Sequence, residues 1–209
     1  MPVMVRNIAV SYASRKVLSN ISAMFPDGQL VAVTGPSGAG KTTLLGAIGG
    51  IVPLASGNIE VNGLAPRPEL SVWVPQGANC LTSRTLMDNV MIAPLSDGIP
   101  RAEAQAKATM ALEQVGLGAR GDSRAAELSG GELQRLALAR ALASARPVVL
   151  LDEPTANLDP VTASGIITLL KNVPVTNTMI VSTHDSELVD AADAVLDLRQ
   201  LARSAVLEP

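Results

Sequence analysis

Aromatic residues are almost missing from this chain: one Trp, one Tyr and one Phe in 209 residues. Proteins that bind single-stranded nucleic acid stack bases on aromatic side chains, so this scarcity argues against that role. Cysteine occurs once, at Cys80, and histidine once, at His184. A lone cysteine excludes an internal disulfide and fits a reducing cytosol. With no Cys–His pair to activate it, Cys80 reads as a small, partly buried residue. Long apolar runs are absent too; stretches such as Val148–Leu151 are far too short to span a bilayer. The N-terminus lacks the basic-then-apolar pattern of a secretion signal. Net charge is −3, so no overall basic field favours nucleic acid. What remains is 47% hydrophobic and 17% charged, enough for one substantial core with a small inserted subdomain.

Two textures divide the chain. Residues 3–11 and 21–25 alternate like short strands, with Val17-Leu18 between them, and Asp27-Gly28 marks a tight turn. Leu30–Val33 is an apolar strand running into a glycine-rich loop, and 42–48 then reads as a helix ended by Gly49-Gly50. Strands are expected again at 56–63 and 72–74, the second stopped by Pro75-Gln76. From Thr85 to about Arg146 the pattern is helical, broken at 116–121. Ser129 followed by Glu132 has the spacing of a capping box, so a helix should start there. After Pro147, strands at 148–152, 178–182 and 194–198 alternate with helices at about 160–171 and 186–191. Such alternation implies a parallel α/β core. One domain over 1–209 is expected, with 1–76 and 147–209 forming the core and 77–146 a helical insertion.

Three motifs carry chemistry. Gly35-Pro36-Ser37-Gly38-Ala39-Gly40-Lys41-Thr42 lies between a strand and a helix, the context a phosphate-binding loop requires. Its glycines let backbone N–H groups turn onto phosphate oxygens, and the helix N-terminus adds a favourable dipole. Lys41 should reach the β/γ-phosphates, the Thr42 hydroxyl should coordinate Mg²⁺, and Thr43 should bond the α-phosphate. Asp152 ends a wholly apolar strand, at the sheet edge where α/β proteins bind ligands. A carboxylate there can hold Mg²⁺ through water. Ser129-Gly130-Gly131 at a second helix start is another anion site by the same backbone physics. One chain has no use for two such sites on one γ-phosphate unless they belong to different subunits, which points to a two-fold dimer with two nucleotides at its interface.

Leu128-Ser129-Gly130-Gly131-Glu132 upstream of Val148-Val149-Leu150-Leu151-Asp152-Glu153 resembles the ATP-binding-cassette (ABC) ATPases over about 5–198. Leu128–Arg135 and Asp152–Asp159 look most similar to the stand-alone ATPase subunits of lipoprotein-releasing and macrolide-export transporters. The resemblance implies an α/β fold: a P-loop NTPase core with a mainly parallel sheet, an N-terminal antiparallel β-subdomain and an inserted α-helical subdomain. It also implies roles. Glu153 would polarise the attacking water, Gln76 would sense Mg²⁺ or that water, and His184 would contact the γ-phosphate. Asp159 would reach the opposite subunit. Tyr12, 23 residues before Gly35, would stack on adenine; its packing on its own sheet is the other reading. Arg120-Gly121-Asp122-Ser123-Arg124 departs from the acidic-glycine motif of fused exporters.

The function so implied is an ATP-hydrolysing subunit, using ATP and Mg²⁺. It would dimerise with itself or a second ATPase subunit and drive a separate integral membrane permease from the cytoplasmic face of the membrane, with no nucleic-acid partner. A soluble ABC ATPase serving iron–sulfur assembly, DNA or ribosomes is the competing reading.

Overall fold

The computed structural model describes residues 2–13, 15–173 and 177–199. Two sheets build it. The first is antiparallel, with β1 (Val3–Tyr12) between β2 (Arg15–Phe25) and β4 (Ser56–Val61). The second is a five-stranded parallel sheet in the order β5 (Ser71–Val74), β6 (Val148–Asp152), β7 (Thr178–Ser182), β3 (Leu30–Thr34), β8 (Ala194–Asp197).

Strands β6 and β7 are buried along their whole length and β3 along nearly all of it, as expected of parallel strands covered on both faces. Because successive side chains point to opposite faces, each strand feeds two cores. Val31, Val33, Val148 and Leu150 join the antiparallel sheet and helix α1 (Lys41–Ile48). Leu30, Ala32, Val149 and Leu151 join the helices of the other side. Those are α2 (Leu86–Ser96), α3 (Arg101–Gln114), α4 (Gly130–Leu142) and α5 (Pro160–Asn172). A short α6 (Ser186–Ala191) precedes β8. Leu44, Leu45 and Ile48 on α1 are almost fully buried, each contributing roughly 1.5–3 kcal/mol.

The sequence reading differs from this fold mainly at β2. Val17-Leu18 and 21–25 are one strand rather than two, because register shifts at Val5/Ile8, Ile8/Val10 and Val10/Ser11 let irregular pairing continue along β1. The last strand ends at Asp197 rather than at Leu198.

Two side-chain clips hold α2 in place, one to the core and one to the loop before it. Arg146 Nε donates to Asp97 Oδ1 at 2.8 Å and its Nη1 to the carbonyls of Pro68 and Ser71 at 3.0 and 2.9 Å. This fastens the end of α2 to the start of β5. Asn89 is fully buried; its amide accepts from Leu81 N at 2.7 Å and donates to the carbonyls of Leu81 and Thr85 at 3.0 and 2.8 Å. Backbone bonds from Leu86, Ala125 and Ala126 to Ser123, Arg84 and Thr82 tie that loop to the segment entering α4. The chain leaving Gln76 is thereby strapped to the chain approaching Ser129.

Candidate active site

The carboxyl ends of β3, β5, β6 and β7 lie along one edge of the parallel sheet, and the sequence places Gly35, Gln76, Glu153 and His184 just beyond them. The turn after β3 holds Gly35, Gly38 and Gly40 at φ of 149°, 80° and 95°, the region where glycine is at ease. At Gly40 space demands it as well, since a Cβ there would sit 2.6 Å from Leu18 Cδ2 on β2. The antiparallel sheet thus presses directly on the loop that opens α1.

Lys41, in the first turn of α1, donates its Nζ to the Gly35 carbonyl at 3.0 Å and lies 3.4 Å from Glu153 Oε1. The other oxygen, Glu153 Oε2, is 2.8 Å from His184 Nδ1. Lys41 and Glu153 side chains are 10% and 13% exposed while His184 is 73% exposed, so the histidine closes the outer side of a nearly buried pair. Asp152 Oδ1 accepts from the Thr42 hydroxyl at 3.1 Å and from the Ser182 hydroxyl. A cleft of about 400 Å³ is lined by Ser37–Thr43, Gln76, Glu153, Arg15 and Val17. A glycine loop at a helix N-terminus with an ammonium beside it suits a polyphosphate. Among the described residues no three His, Cys, Asp or Glu side chains gather as a metal cage. Thr42 and Asp152 do offer hard oxygen donors, as suits Mg²⁺, which takes few protein ligands and completes its shell with water and phosphate.

The second glycine pair is built differently. Ser129 caps α4 in a full capping box: Ser129 N and Oγ donate to Glu132 Oε2 at 2.8 and 2.9 Å, and Glu132 N returns a bond to Oγ. Arg120 Nη1 holds the other carboxylate oxygen at 2.8 Å. The Ser129 N–H and hydroxyl hold the Glu132 carboxyl below its ordinary value against the opposing effect of burial, with Arg120 and Arg135 adding to the lowering. Asp159 caps α5; the Thr162 hydroxyl, then the N–H groups of Thr162 and Val161, lower its pKa.

The candidate residues fall into two groups within the chain. Lys41, Thr42, Thr43, Gln76, Asp152, Glu153 and His184 are drawn together around the phosphate-binding loop, and Ser37, Gly38, Ala39 and Gly40 line its cleft. Pro36 stays in the loop, its carbonyl accepting from Ala39 N. Ser129, Gly130, Gly131 and Asp159 do not line this cleft. Tyr12 does not line it either: it lies 52% exposed at the β1–β2 hairpin, paired with Arg15. Sequence reasoning missed Arg15, Val17 and Ser182. Nothing in the pattern around the first two marks them, whereas Ser182 stands at a strand end in the same run as His184.

A strand, glycine loop and helix beside an acid-ended strand define a P-loop nucleoside-triphosphate-binding protein. Comparison with known proteins narrows the class: residues 18–156 match the family described as ABC transporter, and the chain belongs to that family as an ATP-binding ATPase. It is 39% identical to the lipoprotein-releasing system ATP-binding protein LolD of Saccharophagus degradans, over 88% of this chain and 86% of that protein. It is also 39% identical to the macrolide export ATP-binding/permease protein MacB of Rhodopirellula baltica, but spans only 29% of that protein's length. Among solved structures, the dimeric post-hydrolysis ATP-binding cassette MJ0796 bound to ADP and Pi superposes with a TM-score of 0.81 at 26% identity, over 93% of each chain. The cbiO1 subunit from Clostridium perfringens, part of the transporter complex cbiONQ, gives 0.85 at 27% identity, over 93% of this chain and 83% of that one.

Proposed function

We propose that two copies of this chain, or one copy and a second ATPase subunit, close around two ATP·Mg²⁺, hydrolyse them and reopen, driving a separate membrane permease. The observation that carries this reading is the separation of the two anion sites. The α4 N-terminus is fully built, yet it lies off the cleft of its own chain, and Gly130 faces open space with nothing within 4 Å of a Cβ placed there. A partner's cleft is the surface such a site fits.

In this reading Lys41 and the 35–40 loop bind the β- and γ-phosphates, Thr43 the α-phosphate, and Ser129, Gly130, Gly131 and Asp159 complete the site from the partner subunit. Tyr12 covers the adenine. Thr42, Asp152 and Gln76 would hold Mg²⁺, which neutralises phosphate charge when bound. Glu153 takes the proton of the attacking water, and His184 holds Glu153 in place beside the γ-phosphate. Residues 77–146 act as the helical subdomain, and 1–76 with 147–209 as the core. The strap from Gln76 to Ser129 supports this division, because it lets a change at the nucleotide reach the α4 N-terminus through backbone.

A permease partner is supported by the names of the relatives: LolD is the ATP-binding protein of a release system, and MacB carries ATP-binding and permease parts in one longer chain, of which this chain spans 29%. These likenesses favour transport over iron–sulfur, DNA or ribosome work. No helix among the described residues is long and apolar enough to cross a membrane, which fits a subunit held at the cytoplasmic face by its permease. The test is the oligomeric state of Glu153→Gln protein by size-exclusion with light scattering, with and without ATP·Mg²⁺. An ATP-dependent shift from monomer to dimer, lost on adding Ser129→Arg, is expected. A protein that binds ATP and stays monomeric would sink the two-site clamp for the isolated chain.

A further inference from the structure

We infer that Ser182 is a positioning residue for both carboxylates of the Asp152-Glu153 pair, a role that rests on the ATPase reading above. A serine hydroxyl has one proton to give and two lone pairs to receive. Here the proton goes to Asp152 Oδ1. One lone pair takes the Glu153 N–H at 3.1 Å, and the Ser182 carbonyl oxygen accepts from the same N–H at 3.0 Å. Parallel register puts Asp152 and Ser182 side by side on β6 and β7, so no loop has to be ordered to make these bonds.

Two features give the contact weight. Ser182 is 0% exposed, so water cannot replace its hydroxyl, and a buried group that loses its partner bears the full desolvation cost. Glu153 sits at φ 49°, a left-handed conformation that a non-glycine residue keeps only when its surroundings enforce it. The doubly accepted N–H is that enforcement, and it fixes the direction in which the Glu153 side chain leaves the strand. On the acid next to it, Oδ1 is engaged by Thr42 and Ser182, while Oδ2 has no protein donor among the described residues. Ser182 therefore sets which oxygen of Asp152 is left for the hydrated metal and where the carboxylate of Glu153 stands. Groups that orient a metal-side carboxylate in this way typically change metal affinity or activity by about 10–100-fold when removed.

The experiment compares Ser182→Ala, Ser182→Cys and Ser182→Thr with the unaltered full chain. Binding of a fluorescent ATP analogue is followed across a Mg²⁺ titration, alongside phosphate release and thermal melting. Ser182→Ala should bind the analogue normally without Mg²⁺, need about tenfold more Mg²⁺ to reach its tight-binding state, and lose at least about tenfold in kcat. At saturating Mg²⁺, where the weaker metal binding is overcome, KM for ATP should stay within about twofold and the remaining loss should fall on kcat. Ser182→Cys, which keeps the volume with a far weaker donor, should show the same loss and stands in if Ser182→Ala does not melt cooperatively. Ser182→Thr should recover most of both quantities. A folded Ser182→Ala with unaltered Mg²⁺ requirement and kcat overturns the proposal, as does a folded Ser182→Thr no better than alanine. Lys41→Ala separates the two readings: if it binds the analogue as tightly as the unaltered chain, the nucleotide site itself is misassigned.

Discussion

Lys41 Nζ stands between two oxygens of its own chain, 3.0 Å from the Gly35 carbonyl and 3.4 Å from Glu153 Oε1. A phosphate entering the cleft competes for that ammonium. Before it arrives, the glutamate is tied on one oxygen by Lys41 and on the other by His184. The arrangement neutralises a nearly buried carboxylate, which would otherwise be costly. In the role proposed for Glu153, it would also keep the base engaged until a nucleotide draws the lysine away.

Glu153→Gln should therefore leave ATP binding at least as tight as in the unaltered chain, because Lys41 loses its anionic competitor and keeps only neutral carbonyl oxygens. Turnover should fall by about 10²–10⁴-fold, the usual contribution of a general base. Fluorescent-nucleotide titration and phosphate release check the two halves separately. Full hydrolysis by this variant would remove Glu153 as the base.

His184→Ala frees Glu153 Oε2 without touching the phosphate-binding loop. Its kcat is expected to drop about 10²-fold with little change in nucleotide affinity. Steady-state kinetics beside equilibrium binding decide it, and undiminished kcat would leave His184 as a surface residue.

The two glycines after Ser129 should behave oppositely. A Cβ on Gly131 would fall 2.2 Å from Thr162 Cγ2, and Thr162 cannot swing aside cheaply because its hydroxyl is held by Asp159. Gly131→Ala should cost about 1–3 kcal/mol of stability through overpacking. Gly130→Ala meets nothing and should leave stability unchanged or raise it by about 0.5–1 kcal/mol, yet weaken ATP-driven dimerisation. Melting and light scattering on the pair test this, and a Gly130→Ala chain that dimerises like the unaltered one counts against the partner-facing assignment.

Acid sensitivity should trace partly to the clip between α2 and β5. Burial pushes the Asp97 carboxyl up, but the Ser144 hydroxyl, the Ala145 N–H and Arg146 together hold it below the usual carboxylate range. A depressed folded-state pKa gives stability that is present above the unfolded value of about 4 and is lost as pH falls through the depressed one. Asp97→Asn should destabilise by about 1.5–3 kcal/mol near neutral pH, and the gap should close in acid. Urea unfolding at pH 7 and in steps below pH 4 measures it. A constant gap would mean that the clip acts through shape rather than charge.

Much of this was readable beforehand, and the reasons are physical. Strands β3, β6 and β7 announced themselves because parallel strands covered on both faces must be apolar throughout. The Ser129 cap was legible because a capping box is local, needing residues only three apart. What stayed hidden was long-range. The continuous β2 depends on irregular pairing with β1, and Arg15 and Val17 reach the cleft only because the hairpin folds over the loop at Gly40. Asn89, inside a helical pattern, gave no sign that its amide would fasten the loop beyond Gln76. The partner of Ser182 lies 30 residues away, on a strand whose neighbour no periodicity reveals.

The φ of 49° at Glu153 has a bearing on how this protein responds to selection. A left-handed residue that is not glycine carries roughly 1–2 kcal/mol of strain, so Glu153→Gly and Glu153→Asn relieve it. A laboratory evolution run that rewards heat resistance alone would find these changes early and, with Glu153 in the role proposed for it, would discard hydrolysis in the process. Survivors would keep fold, capping box and nucleotide grip, and would be ATP-binding proteins that no longer turn over.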